Sequence, residues 1–384
     1  MTTGIIAEFN PFHNGHKLLV DTARSFSDTV ICVLSSNFVQ RGDSAVFTKE
    51  MRTEIALKNG VDIVVELPTV WSMSTAQNFA LGGVWQLYNM GCEKIIFGSE
   101  CGDIEELKKA ADILSSDGFF KAVADLLKSG QTFAVARQTV AESMGVKSQI
   151  LNSANDNLGV EYILAAKKLR LNIDFMCIKR TGALHDGAPE KNIASASFIR
   201  NLLKENKLDE AKKYMPDFSF CADDISDIKF ADRAILGILR QKSLADLKNL
   251  PDISEGIENK IFNAVKLAES FEDLCMRIKS KRYPLSRIRR LCLAAAIGET
   301  NEFFMCVPPY TRILGANKNG INALKNTVSI NPVITKFGKA ELPNSDCKKV
   351  FDLECKASDL YGLTFKKPLN CGKEYTMKFI KTEE

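Results

Sequence analysis

The stretch "EFNPFHNGHK", residues 8–17, decides how the rest of the chain is read. The protein has three histidines in 384 residues, and two of them, His13 and His16, flank Asn14 and Gly15 here. Before them runs "TGIIAEF" (3–9), an apolar segment that reads as a buried strand; after them, 15–26 carries helical periodicity. A tight turn from strand into helix leaves backbone N–H groups unpaired at the helix start, and these favour an anion. Gly15 lets a phosphate or a base approach the backbone with no Cβ in the way. Two imidazoles three residues apart lie on one helical face, where both can donate to phosphate oxygens. A capped polar turn would account for one histidine. The pair, directly after a first strand, points to a nucleotide whose α-phosphate is under attack.

The alternation continues outward. "TVICVLS" (29–35), "DIVVEL" (62–67), "KIIFGS" (94–99) and "IDFMCIK" (173–179) read as further buried strands. Helical patterns lie between them, at 48–59, 75–90, 103–129, 131–143 and 157–170. This predicts an α/β fold, a Rossmann-like doubly wound parallel sheet with right-handed crossovers. In such sheets ligands bind beyond the strand carboxyl ends, at the switch point. The chemically unusual residues fall there: "FNPFHNGH", "SNFVQRGD", "ELP", "GSE" and "KRTGALHD", the last carrying the third histidine, His185. From about 201 helical patterns take over through 325, interrupted by Pro216, Pro251 and Pro284. The expected organisation is a nucleotide-binding catalytic domain at 1–205 and a mainly α-helical C-terminal domain at 206–384.

"SASFIR" (195–200) supplies a second phosphate-facing element. Ser195 suits a helix N-cap, while Arg200 lies near the helix start, where the macrodipole disfavours a cation. A bound phosphate would relieve that conflict, with the Ser197 hydroxyl and Arg200 both facing it.

Composition bounds the rest. With 45% hydrophobic and 26% charged residues the chain reads as soluble and globular. It has no long apolar run and no basic–apolar leader, so a cytoplasmic location and no membrane partner are expected. Eleven cysteines are scattered without any C-x-x-C, which argues for reduced thiols and against a metal site. A net charge of +4 permits a nucleic-acid partner, so local clustering must decide. "RIKSKRYPLSRIRR" (277–290) has seven basic residues in fourteen and no acid. A solvated helix face is the ordinary explanation, but this imbalance favours contact with an RNA backbone. Arg282, Arg287 and Arg290 are the candidates, with Tyr283 to stack on a base and Arg312 and Lys318 as secondary contacts. In "NFVQRGDSAVFTKEMR" (37–52), Arg41 and Gly42 belong at the site, whereas Lys49 and Arg52 suit a solvated helix equally well.

H-x-G-H with a downstream S-x-S-x-x-R resembles the nucleotidylyltransferase superfamily, relatives of class I aminoacyl-tRNA synthetases. With "NFVQRGDSAVFTKEMR", "GVDIVVELP", "FGSE", "ANDNLGVEY", "IKRTGALHD", "KRYPLSRIRRL" and "YTRILGANKNG" in this order, the chain resembles the bacterial tRNA(Met) cytidine acetate ligases. The resemblance implies activation of acetate by ATP to acetyl-adenylate and diphosphate. The acetyl group then passes to N4 of the wobble cytidine in the elongator tRNA(Met) anticodon, giving N4-acetylcytidine and AMP. No protein nucleophile is needed, and no Ser-His-Asp or Cys-His arrangement is evident. It further implies ATP contacts at Ile6, Ala7, Glu8, Phe9, Asn10, Pro11, Phe12, His13, Asn14, Gly15, His16, Lys17, Leu18 and Leu19. Gly98, Asn155 and Arg180 join them, beside Ser195, Ser197 and Arg200. His13, His16 and Arg200 would serve the chemistry, and His185 the cytosine end or a structural hydrogen bond. Mg2+ would arrive on the phosphates. The 37–52 loop could hold either acetate or cytosine. Two departures are Leu19, where many relatives have a further histidine, and Ala154, where proline is common. The alternatives are a small-molecule nucleotidylyltransferase acting on phosphopantetheine or nicotinamide mononucleotide, and a non-catalytic RNA binder. The first leaves the second half unexplained; the second has no need of either motif. No DNA partner is indicated.

Overall fold

The computed structural model describes residues 1–180, 192–254, 256–303, 305–339 and 342–383. Its strands are β1 (Thr2–Ala7), β2 (Thr29–Ser35), β3 (Phe38–Val39), β4 (Asp43–Ser44), β5 (Ile63–Leu67), β6 (Lys94–Ser99) and β7 (Asp174–Lys179), then β8 (Thr311–Ala316), β9 (Val333–Ile334) and β10 (Ile380–Lys381). The five apolar runs become β1, β2, β5, β6 and β7, parallel and in the order β5–β2–β1–β6–β7. The chain builds outward from β1 through β2 to β5, then returns past β1 to add β6 and β7. The switch point therefore lies at the carboxyl end of β1.

The strands are apolar throughout because both faces are covered. Ile5, Cys32, Leu34 and Val64 pack with Val20, Ala23, Ile55 and Ala56 of α1 (Asn14–Arg24) and α2 (Lys49–Lys58). The alternate residues Ile6, Ile31, Val33 and Val65 face the other layer. That layer begins with α3 (Thr69–Ser72) and α4 (Ala76–Asn89), and α4 contributes Phe79, Val84 and Leu87. The 103–129 pattern is two helices, α5 (Ile104–Leu114) and α6 (Asp117–Lys128), because Ser116 accepts the Phe119 N–H and caps a new start. Then follow α7 (Phe133–Ser143), α8 (Ser148–Asn152), α9 (Ala154–Leu169) and α10 (Ala196–Lys204). Among the described residues no helix is long and apolar enough to cross a membrane.

The second half is helical at first, with α11 (Leu208–Lys212), α12 (Asp232–Arg240), α13 (Leu244–Lys248), α14 (Ile257–Ala264), α15 (Phe271–Ile278) and α16 (Leu285–Ile297). It then rejoins the sheet. β8 runs antiparallel to β5, and β9 and β10 pair parallel with β8. Helices α17 (Lys318–Leu324), α18 (Ser345–Gly362) and α19 (Lys373–Thr376) complete the return. The sheet is thus mixed rather than wholly parallel, and the expected boundary at 205/206 does not divide it.

That return is fastened by a buried ionic cluster. Lys49 from α2, Glu66 from β5, Arg312 from β8, Glu354 from α18 and Glu374 from α19 are each no more than 2% exposed. The Lys49 ammonium pairs with Glu66, with Glu374 at 2.7 Å and with Glu354 at 3.3 Å. Arg312 pairs with Glu374 and, at 3.2 Å, with Glu66. Glu354 also accepts from the Ser36 hydroxyl and, at 2.8 Å, from the Thr69 N–H. Arg312 is therefore a core residue and not an RNA contact, and Lys49 is no solvated helix residue. Burial works against the Glu374 carboxylate, but Lys49 and Arg312 overcome it and hold its pKa down to about 2. Its contribution to stability is complete above the ordinary carboxylate range and is lost as pH falls toward about 2. Lys49→Met should leave carboxylates buried without their central cation and destabilise the fold by about 3–5 kcal/mol in denaturant unfolding. Wild-type stability of that variant would show that the cluster does not hold the return strands.

Candidate active site

The turn after β1 is built by its two histidines. His13 caps α1: its Nδ1 accepts the His16 N–H at 3.3 Å, and His16 Nδ1 accepts the His13 N–H at 3.3 Å. The rings stack with centroids 3.7 Å apart and planes 19° from parallel. An imidazole that accepts at Nδ1 while neutral carries its proton on Nε2. Burial first, then the charges of Arg180 and Arg200, push His13 down to about 3. Burial, His13 and Arg180 push His16 down as well. Both rings are thus neutral near pH 7, each with one N–H to give. A Cβ on Gly15 would sit 3.0 Å from His13 Cε1, so the stacked turn leaves little room for a side chain.

Two further elements close on this turn. Ser195 caps α10 by accepting the Phe198 N–H at 3.2 Å. Arg200 donates to the Asn10 carbonyl at 2.7 Å and to Ser197 Oγ at 3.1 Å, which joins the two motifs. On the other side, Asp156 accepts from Ser99 Oγ at 2.5 Å, the Glu100 N–H at 2.9 Å and the Cys101 N–H at 3.1 Å. Glu100 answers by accepting from Asn155 Nδ2 at 2.6 Å and the Asp156 N–H at 3.0 Å. This clasp places Gly98 and Asn155 side by side, with the Arg180 N–H bonded to the Ser99 carbonyl at 2.8 Å.

These elements surround a cleft of about 260 Å³. Of the sequence-predicted residues, Ile6, Ala7, Glu8, Phe9, Asn10, His13, Gly15, His16, Leu18 and Leu19 line it, as do Gly98, Asn155, Arg180, Ser195, Ser197 and Arg200. Pro11, Phe12, Asn14 and Lys17 do not. Phe12 is fully buried behind the His16 ring, and Lys17 turns to Asp21. Asn14 ties the turn to distant chain, its N–H to the Tyr214 carbonyl at 2.9 Å and its Nδ2 to that of Asn192 at 2.8 Å. His185 lies outside the described residues. Sequence reading missed the apolar wall of Phe79, Phe97, Leu158 and Tyr162, whose spacing is that of ordinary core. It also missed Asp156, whose signal was an acid in the first turn of a helix.

Gln40 and Arg41 bring a third side to the cleft, from the β3–β4 hairpin. Arg52 supports it from below: fully buried, it donates to the carbonyls of Glu8 at 2.9 Å, Ser35 at 2.8 Å, Ser36 at 2.7 Å and Phe47 at 3.1 Å. Helix α16 grips the hairpin from above. Gly42 has φ +70° and comes so close that a Cβ would lie 2.6 Å from Arg289 Cβ and the Arg290 nitrogen. Arg290 donates to the Gln40 carbonyl at 3.1 Å, and Arg289 pairs with Glu272 and, at 3.7 Å, Asp43.

The basic stretch is consequently divided. Arg287 bonds Ser254 Oγ at 2.6 Å and pairs with Asp252 at 3.3 Å, and Arg290 is committed to the hairpin. Tyr283 is 3% exposed beneath the Lys260 ammonium, so it cannot stack on a base. Lys279, Lys281 and Arg282 are exposed. Lys318 follows β8, which ends beside the start of β5, so it sits on the rim opposite the cleft.

Among the described residues, Glu66, Glu354 and Glu374 form the one acidic group close enough to hold a metal, within 4.8 Å of one another. The Lys49 ammonium pairs with all three, and none lines the cleft. That group does not fit a catalytic ion.

Residues 1–375 match the family model for the HIGH nucleotidyl transferases. A Thermoanaerobacter sp. (strain X514) protein named tRNA(Met) cytidine acetate ligase is 37% identical, over 98% of this chain and 99% of that one. A protein of that name from Clostridium acetobutylicum is also 37% identical, again over 98% and 99%. The crystal structure of Thermotoga maritima TmcAL bound with alpha-thio ATP matches with TM-score 0.88 and 32% identity, over 99% of this chain and 100% of that one. The apo form of that protein matches at 0.91.

Because burial and neighbouring cations keep both imidazoles neutral, the free protein should show no His13 or His16 titration in NMR between about pH 5 and 8. A midpoint near 6.5 for either ring would overturn the neutral-donor assignment.

Proposed function

The chain belongs to the HIGH nucleotidyl transferase family and, within it, to the tRNA(Met) cytidine acetate ligases, and from that premise we infer how its cleft works. The enzyme uses ATP to acetylate a cytidine of tRNA(Met). The observation that carries the mechanism is the pair of stacked imidazoles sharing the cleft with Arg180 and Arg200 at the switch point.

Adenosine lies against the wall of Phe79, Phe97, Leu158 and Tyr162, with the α-phosphate over the His13–His16 turn. An acetate oxygen attacks the α-phosphorus, and diphosphate leaves. His13 and His16 donate to the transferred and departing oxygens, while Arg180 and Arg200 balance the charge that builds there. Mg2+ enters as part of the ATP substrate, carried by its phosphates. The mixed anhydride that results makes the acetyl carbon electrophilic, and N4 of the wobble cytidine attacks it with loss of AMP. The helical stretch from 206 to 300 faces the tRNA, and the exposed Lys279, Lys281 and Arg282 meet its backbone. The reaction belongs in the cytoplasm, where tRNA is modified.

Acetate-dependent exchange of diphosphate into ATP, followed by nucleoside analysis of tRNA(Met), tests the two steps. His13→Ala and His16→Ala should each lower exchange by about 10²-fold or more. Exchange at the wild-type rate in both variants would overturn their role. A Lys281→Glu/Arg282→Glu double variant should weaken tRNA binding and reduce its salt slope by about 2. An unchanged slope would move the tRNA contact elsewhere.

A further inference from the structure

Within the stretch that the resemblance gives to ATP, one residue, Glu8, brings a negative charge to the cleft. The cleft's positive groups include Arg180 and Arg200 beside the two imidazoles and Arg41 on the β3–β4 hairpin. Glu8, directly after β1, places a carboxylate in the same cleft. Its charge favours the protonated forms of Arg200 and Arg52, and its oxygens suit a partner that donates N–H groups. Among the described residues it makes no ion pair with lysine or arginine.

Its orientation is defined at both ends. Glu8 Oε1 accepts the Gln40 backbone N–H at 3.1 Å, and its carbonyl accepts from buried Arg52 at 2.9 Å. The carboxylate therefore turns toward the β3–β4 hairpin, on the β2 side of β1. Gly98, Asn155 and Arg180 lie on the β6 side. The hairpin in turn is held by Arg289 and Arg290 of α16, within the helical stretch assigned above to the tRNA. A base delivered from that stretch would enter the cleft on the Glu8 side.

We propose that Glu8 is the catalytic residue that receives the N4 amine of the incoming cytosine and takes a proton from it during acetyl transfer. This rests on the function proposed above. A cytosine amine offers two N–H donors, and a carboxylate is the acidic acceptor suited to it. The amine is a weak nucleophile because its lone pair is delocalised into the ring; a hydrogen bond to a carboxylate returns density to nitrogen. N4 attacks the acetyl carbonyl carbon and the N–C bond forms. The bond from that carbon to the bridging phosphate oxygen breaks, and its electron pair leaves with AMP. One N4 proton passes to a Glu8 oxygen and then to solvent, which leaves a neutral amide.

Glu8→Gln tests this, since the amide oxygen can still accept the Gln40 N–H. Two rates are measured on each enzyme: acetate-dependent diphosphate exchange, and single-turnover acetyl transfer to tRNA(Met) from enzyme loaded with acetate and ATP. The ratio of transfer to exchange should fall by about 10²-fold or more, with the tRNA KM changed far less than kcat. Glu8→Asp should recover part of that ratio, and it serves alone if the glutamine variant does not fold. Equal losses in both rates would assign Glu8 to the nucleotide or its Mg2+ and overturn the proposal. Wild-type transfer in Glu8→Gln would reduce the carboxylate to a structural acceptor and overturn it too. A wild-type enzyme without acetate-dependent exchange would instead remove the functional reading itself.

Discussion

Arg52 carries a full charge into the protein interior with no carboxylate hydrogen-bonded to it. Four backbone carbonyls accept from it instead, at Glu8, Ser35, Ser36 and Phe47. Those carbonyls stand at or just past the ends of β1 and β2 and after the hairpin, where the sheet stops. Carbonyls buried there would each cost free energy if left unpaired. One guanidinium fork satisfies all of them and in doing so holds three chain segments at a common point. Three residues earlier, Lys49 collects Glu66, Glu354 and Glu374. The first turn of α2 therefore pins the cleft rim with one cation and the returning C-terminal elements with the other. A planar fork suits the divergent carbonyls, and a compact ammonium suits the convergent carboxylates.

Where one residue's neighbours in sequence are also its neighbours in space, the sequence was a sufficient guide. The buried parallel strands were legible because each is a short apolar run with a helical pattern on either side. The H-x-G-H turn was legible for the same reason, since the two histidines and the cap they form lie within four residues. Ser195, Ser197 and Arg200 follow from the same local logic, and their meeting with Asn10 follows from the switch point once the strand order is known.

The remainder depended on long-range pairing. "RIKSKRYPLSRIRR" contains no acid, yet Asp252, Asp43 and Glu272 reach it from other elements. A window without acids in sequence is thus not an unpaired surface in space, and Tyr283 sank with it beneath Lys260. β8 begins with Thr311 and Arg312, polar residues that suit a loop. They become strand because Glu66 and Glu374 neutralise the arginine while Gln86 and Asn89 bond the threonine. The apolar wall of the cleft was hidden differently, because an aromatic that lines a cleft and one that fills a core share the same periodicity.

In the proposed mechanism, the charge balance of the cleft suits release of product as well as reaction. Diphosphate and AMP are both anions, and a site dense in fixed cations would stabilise them as strongly as the transition state. Uniform binding of that kind gains nothing in turnover. Burial and the nearby arginines strip His13 and His16 of their charge, so what they offer is a directed N–H dipole rather than a monopole. A dipole's pull falls off faster with distance and depends on alignment, so in the proposed mechanism it would act most on oxygens placed over the turn while the phosphorus is being attacked. The stacking of the two rings is what makes this possible. Each ring excludes water from the other, and two imidazolium ions would not tolerate 3.7 Å between centroids.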